Sequence, residues 1–290
     1  MRHSLLSRFQ GVLCGSLIGE QLVSSQTSSI DTQIRLTIIQ NLLNSEELND
    51  YILPKEVNSS IAGEVALLSL PIIMFFHESP SLLTNKLQNI GKIWQCSESA
   101  LQGLLLWSRF IALALTEKLD PENFFSLILD SSPKTPLTEN LCLVHEYIKE
   151  AKPLQQLVSQ LSQQRDDNSA FAPWACREAL VYALYCFAST PEDFPLSIKR
   201  ATQCPTPLLT ASLTGALAGG YNGVNGIPTT WRLAAQKIPL FQDSQQAAKL
   251  MFNHWVGMYE PSQLQISPAI ACYATGVMQA RSSLKIISQS

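Results

Sequence analysis

The stretch QCPTPLLTASLTGALAGGYNG, from Gln203 to Gly223, sets the tightest limit on how this chain can fold. Small residues at Ala211, Ser212, Gly215, Ala218 and Gly219 recur at three- and four-residue steps, which puts them along one side of a helix. A helix with so little side chain on that side can pass very close to its neighbours, so it belongs inside a packed helical body. Pro205 and Pro207 lead into it, and a proline suits the first turn of a helix because the missing N–H has no intrahelical partner there. No charged residue marks its opening.

The rest of the chain agrees with a helical reading. Period-2 alternation is scarce, while apolar positions three and four apart recur almost throughout. In PLQQLVSQLSQQ, Leu154, Leu157, Val158 and Leu161 form one face and glutamines the other. Ser97 with Glu98 opens the long apolar run LQGLLLWSRFIALAL, and Thr190, Pro191, Glu192 and Asp193 form another capped start. Asp120, Pro121 and Glu122 give a third. The segment Ser131 to Asn168, rich in Ser, Pro, Gln and Asp, reads as a looser excursion. The expectation is an all-α fold, a single compact multi-helix domain over residues 1–290.

Composition narrows the function classes. Hydrophobic residues make up 46% of the 290 and charged residues only 15%, below the usual value of about 25%, so a large buried core or a partner surface is required. With a formal net charge of −3 there is no basic face for nucleic acid. The apolar run Leu101–Leu115 contains Arg109 and falls short of the roughly 20 residues of a membrane span, which makes it a core helix. Seven cysteines, an odd number with no CxxC pair, read as reduced, buried thiols of a cytoplasmic protein.

Two regions carry a family resemblance. SRFQGVLCGSLIGEQL (Ser7–Leu22) and SIDTQIRLTIIQNLL (Ser29–Leu43) look like an opening R-x-x-G-x-L-x-G-x-x-x-G-D-A-L helix and a T-D-D-T-Q-M segment. Farther on, GALAG at Gly215–Gly219 and GVNGIPTTW at Gly223–Trp231 follow in the order and spacing of a second set of motifs. Together they resemble the ADP-ribosylglycohydrolase family, relatives of the dinitrogenase-reductase-activating glycohydrolases. That resemblance implies a mechanism in which two Mg²⁺ or Mn²⁺ ions, held by the T-D-D cluster and a D-T-D turn, activate water against an N-glycosidic carbon.

Carried over residue by residue, the implied metal ligands are mostly missing. Counting back from Gly215, the D-T-D aspartates fall on Thr206 and Leu208, with Pro207 between them. T-D-D-T falls on Ser29, Ile30, Asp31 and Thr32, so one carboxylate remains there, and G-D-A becomes Gly19, Glu20, Gln21. Hard divalent ions require anionic oxygens, and a pocket walled by Ile, Thr and Leu offers few. No dinuclear site and no cofactor are expected. A weak Mg²⁺ or Mn²⁺ on Asp31 and Glu20 is the alternative.

The site positions to follow are therefore Glu20, Ser29, Asp31, Thr32, Thr206 and Leu208. Each has an ordinary reading beside the functional one: Asp31 as the N-cap of an apolar helix, Glu20 as a solvated residue at a helix end, Ser29 and Thr32 as turn residues. Gly63 and Glu64 fall near a glycine-rich segment of the family, where Glu64 would put a negative charge at the place of a pyrophosphate unless it faces away as a first-turn helix acid. The leading expectation is a pseudoenzyme: a catalytically inert binding, regulatory or scaffolding protein with a protein partner, and with ADP-ribose or a nucleotide as a ligand of the old cleft. The alternative is an active hydrolase with altered metal dependence, using Glu20 and Asp31. Neither nucleic acid nor membrane is expected as a partner.

Overall fold

A computed structural model describes residues 3–24, 30–44, 62–121, 123, 125, 134–163, 173–259 and 277–278. The fold is built around α1 (Leu5–Val23), which opens on Ser4, whose hydroxyl accepts from the Ser7 N–H at 3.2 Å. Almost every residue of α1 from Ser7 to Glu20 is buried, so it is covered on all sides rather than amphipathic. The small-residue segment forms α11 (Pro207–Asn222), buried from Thr210 to Gly220. These two are the central pair.

Their contact is a meeting of backbones. A Cβ on Gly11 would stand 2.0 Å from the Gly219 carbonyl oxygen, one on Gly15 2.2 Å from that of Gly215, and one on Gly19 2.1 Å from that of Ala211. As the α1 number rises the α11 number falls, so the helices run antiparallel with a four-residue period on both sides. The expected packing role of the small residues is thus met, with a reciprocal stripe on α1 as its partner. Where α11 ends, Gly223 adopts φ +63°, a conformation costly for any residue with a side chain. There the Val224 N–H donates to Ser7 Oγ at 3.2 Å, tying the start of α1 to the end of α11.

Other helices pack around this pair, directly or through one another. They are α2 (Ile30–Asn44), α3 (Ala62–Leu68), α4 (Leu70–Phe76), α5 (Pro80–Ile93), α6 (Glu98–Leu115), α7 (Pro136–Lys149) and α8 (Leu154–Gln163), followed by α9 (Pro173–Ala188), α10 (Phe194–Ala201), α12 (Thr229–Ala235) and α13 (Pro239–Val256). α13 packs on α1, α9 and α10 on α11, and α6 on α3 and α11. A two-stranded antiparallel ribbon, β1 (Met258–Tyr259) with β2 (Val277–Met278), is a small addition to an all-α body. No helix among the described residues is long and apolar enough to cross a membrane.

Several local expectations meet the structure directly. Ser97 caps α6 by accepting from the Ala100 N–H at 3.3 Å, and α6 is a core helix with Arg109 on its exposed side. Leu154, Leu157 and Leu161 are the buried face of α8. At the start of α10 the cap is the Asp193 carboxylate, accepting from the Leu196 N–H at 2.9 Å, while Thr190 bonds with Ser197 and Arg200. The region 131–168 is more regular than its composition indicates, because it holds α7 and α8; Thr135 and Thr138 form a reciprocal cap and Pro136 occupies the first turn. Of the cysteines, Cys14, Cys186 and Cys204 are buried and free, but Cys142 is exposed. Glu122, the turns at 49–54 and 165–168, and Cys272 lie outside the described residues.

Candidate functional site

The antiparallel pairing carries the C-terminal end of α1 to the first turns of α11, since Gly19 lies against Ala211 and Ser212. α2 closes the same end. Ser16 and Glu20 are one turn apart on α1, and Thr32 and Arg35 three residues apart on α2, so each pair shares a helix face.

Between these faces lies a buried guanidinium. Arg35, 3% exposed, donates through Nη1 to Ser16 Oγ at 2.6 Å and through Nη2 to Thr32 Oγ1 at 2.6 Å. Its Nη2 is 3.8 Å from Glu20 Oε2, and the Thr32 hydroxyl donates to the same carboxylate oxygen at 3.4 Å. Glu20 is only 9% exposed, which corrects the expectation of a solvated helix-end residue. The reason is Arg35: a carboxylate can leave water when a cation and a hydroxyl donor meet it inside.

The start of α11 is built differently. Thr206 holds the N-cap position without a side-chain cap, and its hydroxyl instead lies 3.1 Å from that of Thr210. Leu208 is 45% exposed, so it faces solvent and does not form the apolar wall expected of it. The neighbouring Leu209 takes the inward role. A Cβ on Gly63 of α3 would stand 2.5 Å from Leu209 Cδ2, so the glycine there makes room for the leucine. Glu64 falls in the first turn of α3, the position of the helix-acid alternative.

The remaining candidates are partly out of view. Ser29 lies outside the described residues. α2 begins at Ile30, so Asp31 lies inside its first turn, not at the cap, where an acid still favours the helix dipole; its side chain is outside the described set. The structure thus brings Glu20 and Thr32 together and leaves Thr206 and Leu208 on a separate, proline-led turn. Sequence reasoning missed Arg35 and Ser16. A signal existed: Thr32, Arg35, Ile38, Ile39 and Leu42 follow one helical face, and all are buried.

Can these residues hold the metal pair the resemblance implies? Among the described residues, no three of His, Cys, Asp and Glu gather as a metal-binding group. The described donor set is one carboxylate and two hydroxyls that already face a guanidinium. At an effective dielectric of 20, two unit charges about 4 Å apart interact by about 4 kcal/mol, so a divalent ion beside Arg35 would meet roughly twice that in repulsion. These residues do not fit a dinuclear centre.

The family model for ADP-ribosylglycohydrolase matches residues 25–260. The chain belongs to the ADP-ribosylglycohydrolase family. The match begins after α1, whose glycine stripe is nonetheless the other half of the central pair. A solved structure titled ADP-ribosylglycohydrolase-related protein complex is similar at 15% identity, with a TM-score of 0.59, covering 86% of this chain and 96% of that one. Identity at that level shows the shared fold. Among curated proteins, none matches the chain. Within this family fold, the region described above is the α1–α2 junction beside the start of α11.

Proposed function

We propose that this ADP-ribosylglycohydrolase-family protein binds rather than cleaves, acting as a regulatory or scaffolding partner of another protein. The observation that carries the reading is the start of α11, where the resemblance implies metal-bearing carboxylates. There the chain offers Thr206, whose hydroxyl is turned to Thr210, and Leu208, which faces solvent. Leu209 fills the space over Gly63 in the same turn. A turn of this kind, with no carboxylate on it, supports retention of the scaffold with a changed use for its open end, with ADP-ribose or a nucleotide as a metal-free ligand. The free thiols at Cys14, Cys186 and Cys204 support a reducing, cytoplasmic setting.

Incubation with a protein ADP-ribosylated on arginine, in Mg²⁺ or Mn²⁺, tests the reading. No release of ADP-ribose above a no-protein control is expected, while ADP-ribose alone raises the melting temperature as a ligand of the native state does. Release that a chelator abolishes overturns the proposal and restores the hydrolase reading.

A further inference from the structure

The α1–α2 junction has a feature that the loss of carboxylates alone does not explain. A guanidinium is expensive to bury, and Arg35 is almost fully enclosed. Its contacts to the neutral hydroxyls of Ser16 and Thr32 are both 2.6 Å, and the Glu20 carboxylate lies at 3.8 Å. Ser16 Oγ, Thr32 Oγ1 and Glu20 Oε2 therefore form a set of three oxygens arranged around one positive group. Of these three, Glu20 supplies a carboxylate and Ser16 and Thr32 supply hydroxyls, and the guanidinium occupies the space between them.

The protein part of this set comes from two helices. Ser16 and Glu20 belong to α1, Thr32 and Arg35 to α2, so the cation is what draws the two faces together across the residues between them. Thr32 bridges the arrangement by accepting from Arg35 and donating to Glu20. The geometry is that of an occupied cation site whose occupant is covalently attached to the chain.

We infer that Arg35 is the resident cation of the α1–α2 junction: its guanidinium holds Glu20, Ser16 and Thr32 in place and keeps free divalent ions out. Removing the side chain beyond Cβ should leave an oxygen-lined site that a small guanidinium ion can re-enter. The inference rests on the metal-free reading of the site above, and the test separates the two.

Wild-type protein, Arg35→Ala and Arg35→Ala/Glu20→Gln are melted in increasing methylguanidinium or MnCl₂. Arg35→Ala should melt below wild type and regain part of the loss in millimolar methylguanidinium, at concentrations that do not raise the wild-type melting temperature. Adding Glu20→Gln should abolish the recovery. No recovery in Arg35→Ala, an equal rise in wild type, or a rise of the wild-type melting temperature in MnCl₂ overturns the inference. If Arg35→Ala does not fold, Glu20→Gln, Arg35→Met and their double variant decide the matter. A double variant melting no lower than Arg35→Met supports a mutual pair, and additive losses overturn it. Chelator-sensitive ADP-ribose release by wild type, accompanied by methylguanidinium recovery in Arg35→Ala, sinks the proposed function and the exclusion of divalent ions, and leaves standing only that Arg35 holds Glu20, Ser16 and Thr32 in place. Absence of both release and recovery sinks only the assignment.

Discussion

The central helix pair has two very different stretches. Along most of their length α1 and α11 touch through Gly11, Gly15 and Gly19 against Gly219, Gly215 and Ala211, with backbone atoms at the interface and no charge. At the end of α1 the same pairing opens into a polar junction, where Ser16, Glu20, Thr32 and Arg35 exchange hydrogen bonds out of water. The seam depends on the absence of side chains, and the junction depends on their identity. A seam of that sort admits little variation, because any added atom meets a carbonyl. The junction can be rebuilt by exchanging one set of polar groups for another, provided that charge stays balanced.

Substitutions can break the two stretches separately. Arg35→Met leaves Glu20 buried beside hydroxyls with no cation, and should cost about 3–5 kcal/mol in chemical denaturation, the usual result of removing one member of a buried pair. Gly15→Ala pushes a methyl group to 2.2 Å from the Gly215 oxygen and should cost about 1–3 kcal/mol, even after the roughly 1 kcal/mol that alanine gains over glycine in a helix. An equal loss from Gly15→Ala and from an exposed control such as Gln33→Ala would show that the seam is looser than described.

The seam also carries a titration. Burial pushes the Cys14 thiol up to about 12. The folded state therefore keeps its proton where the unfolded thiol, with an ordinary value near 9, has lost it. Stability from this group is intact below pH 9 and falls as pH rises toward 12, by up to about 1.4 kcal/mol per pH unit. Cys14→Ala should flatten that alkaline decline in urea melts taken from pH 8.5 to 10.5. Smaller effects lie outside the pair. Asp193→Ala removes the α10 cap and should cost about 1 kcal/mol. Leu208→Asp, at an exposed position, should change stability by no more than about 0.5 kcal/mol, and restores no Mn²⁺ binding while Arg35 remains.

Much of the fold could be read from the residues because its signals are local. Ser97 caps α6, the leucine spacing of α8 gives its buried face, and the small residues of α11 announce a close neighbour. The same face logic applied to α1 would have shown Gly11, Gly15 and Gly19 at a period of four, ready to meet the stripe on α11. The segment 131–168 was harder, since its polar composition masks the proline and threonines that begin α7. At the site, the absence of a carboxylate at Thr206 and Leu208 was legible in the sequence, but the buried Arg35 was not. Arg35 sits inside an apolar-periodic helix, where a charge is ordinarily assigned to the solvent side. The spatial arrival of Ser16 and Glu20 from α1 helps to make its burial tolerable, and that arrival depends on a pairing made between distant parts of the chain.

That distance has a consequence for biosynthesis. α1 is translated long before α11, and at about 5–20 residues per second the wait between them is on the order of ten seconds or more. Throughout that interval the face of α1 meant for α11 has no mate, so nascent chains would need shelter from premature association, and premature termination ahead of α11 would yield a product unable to close its own centre.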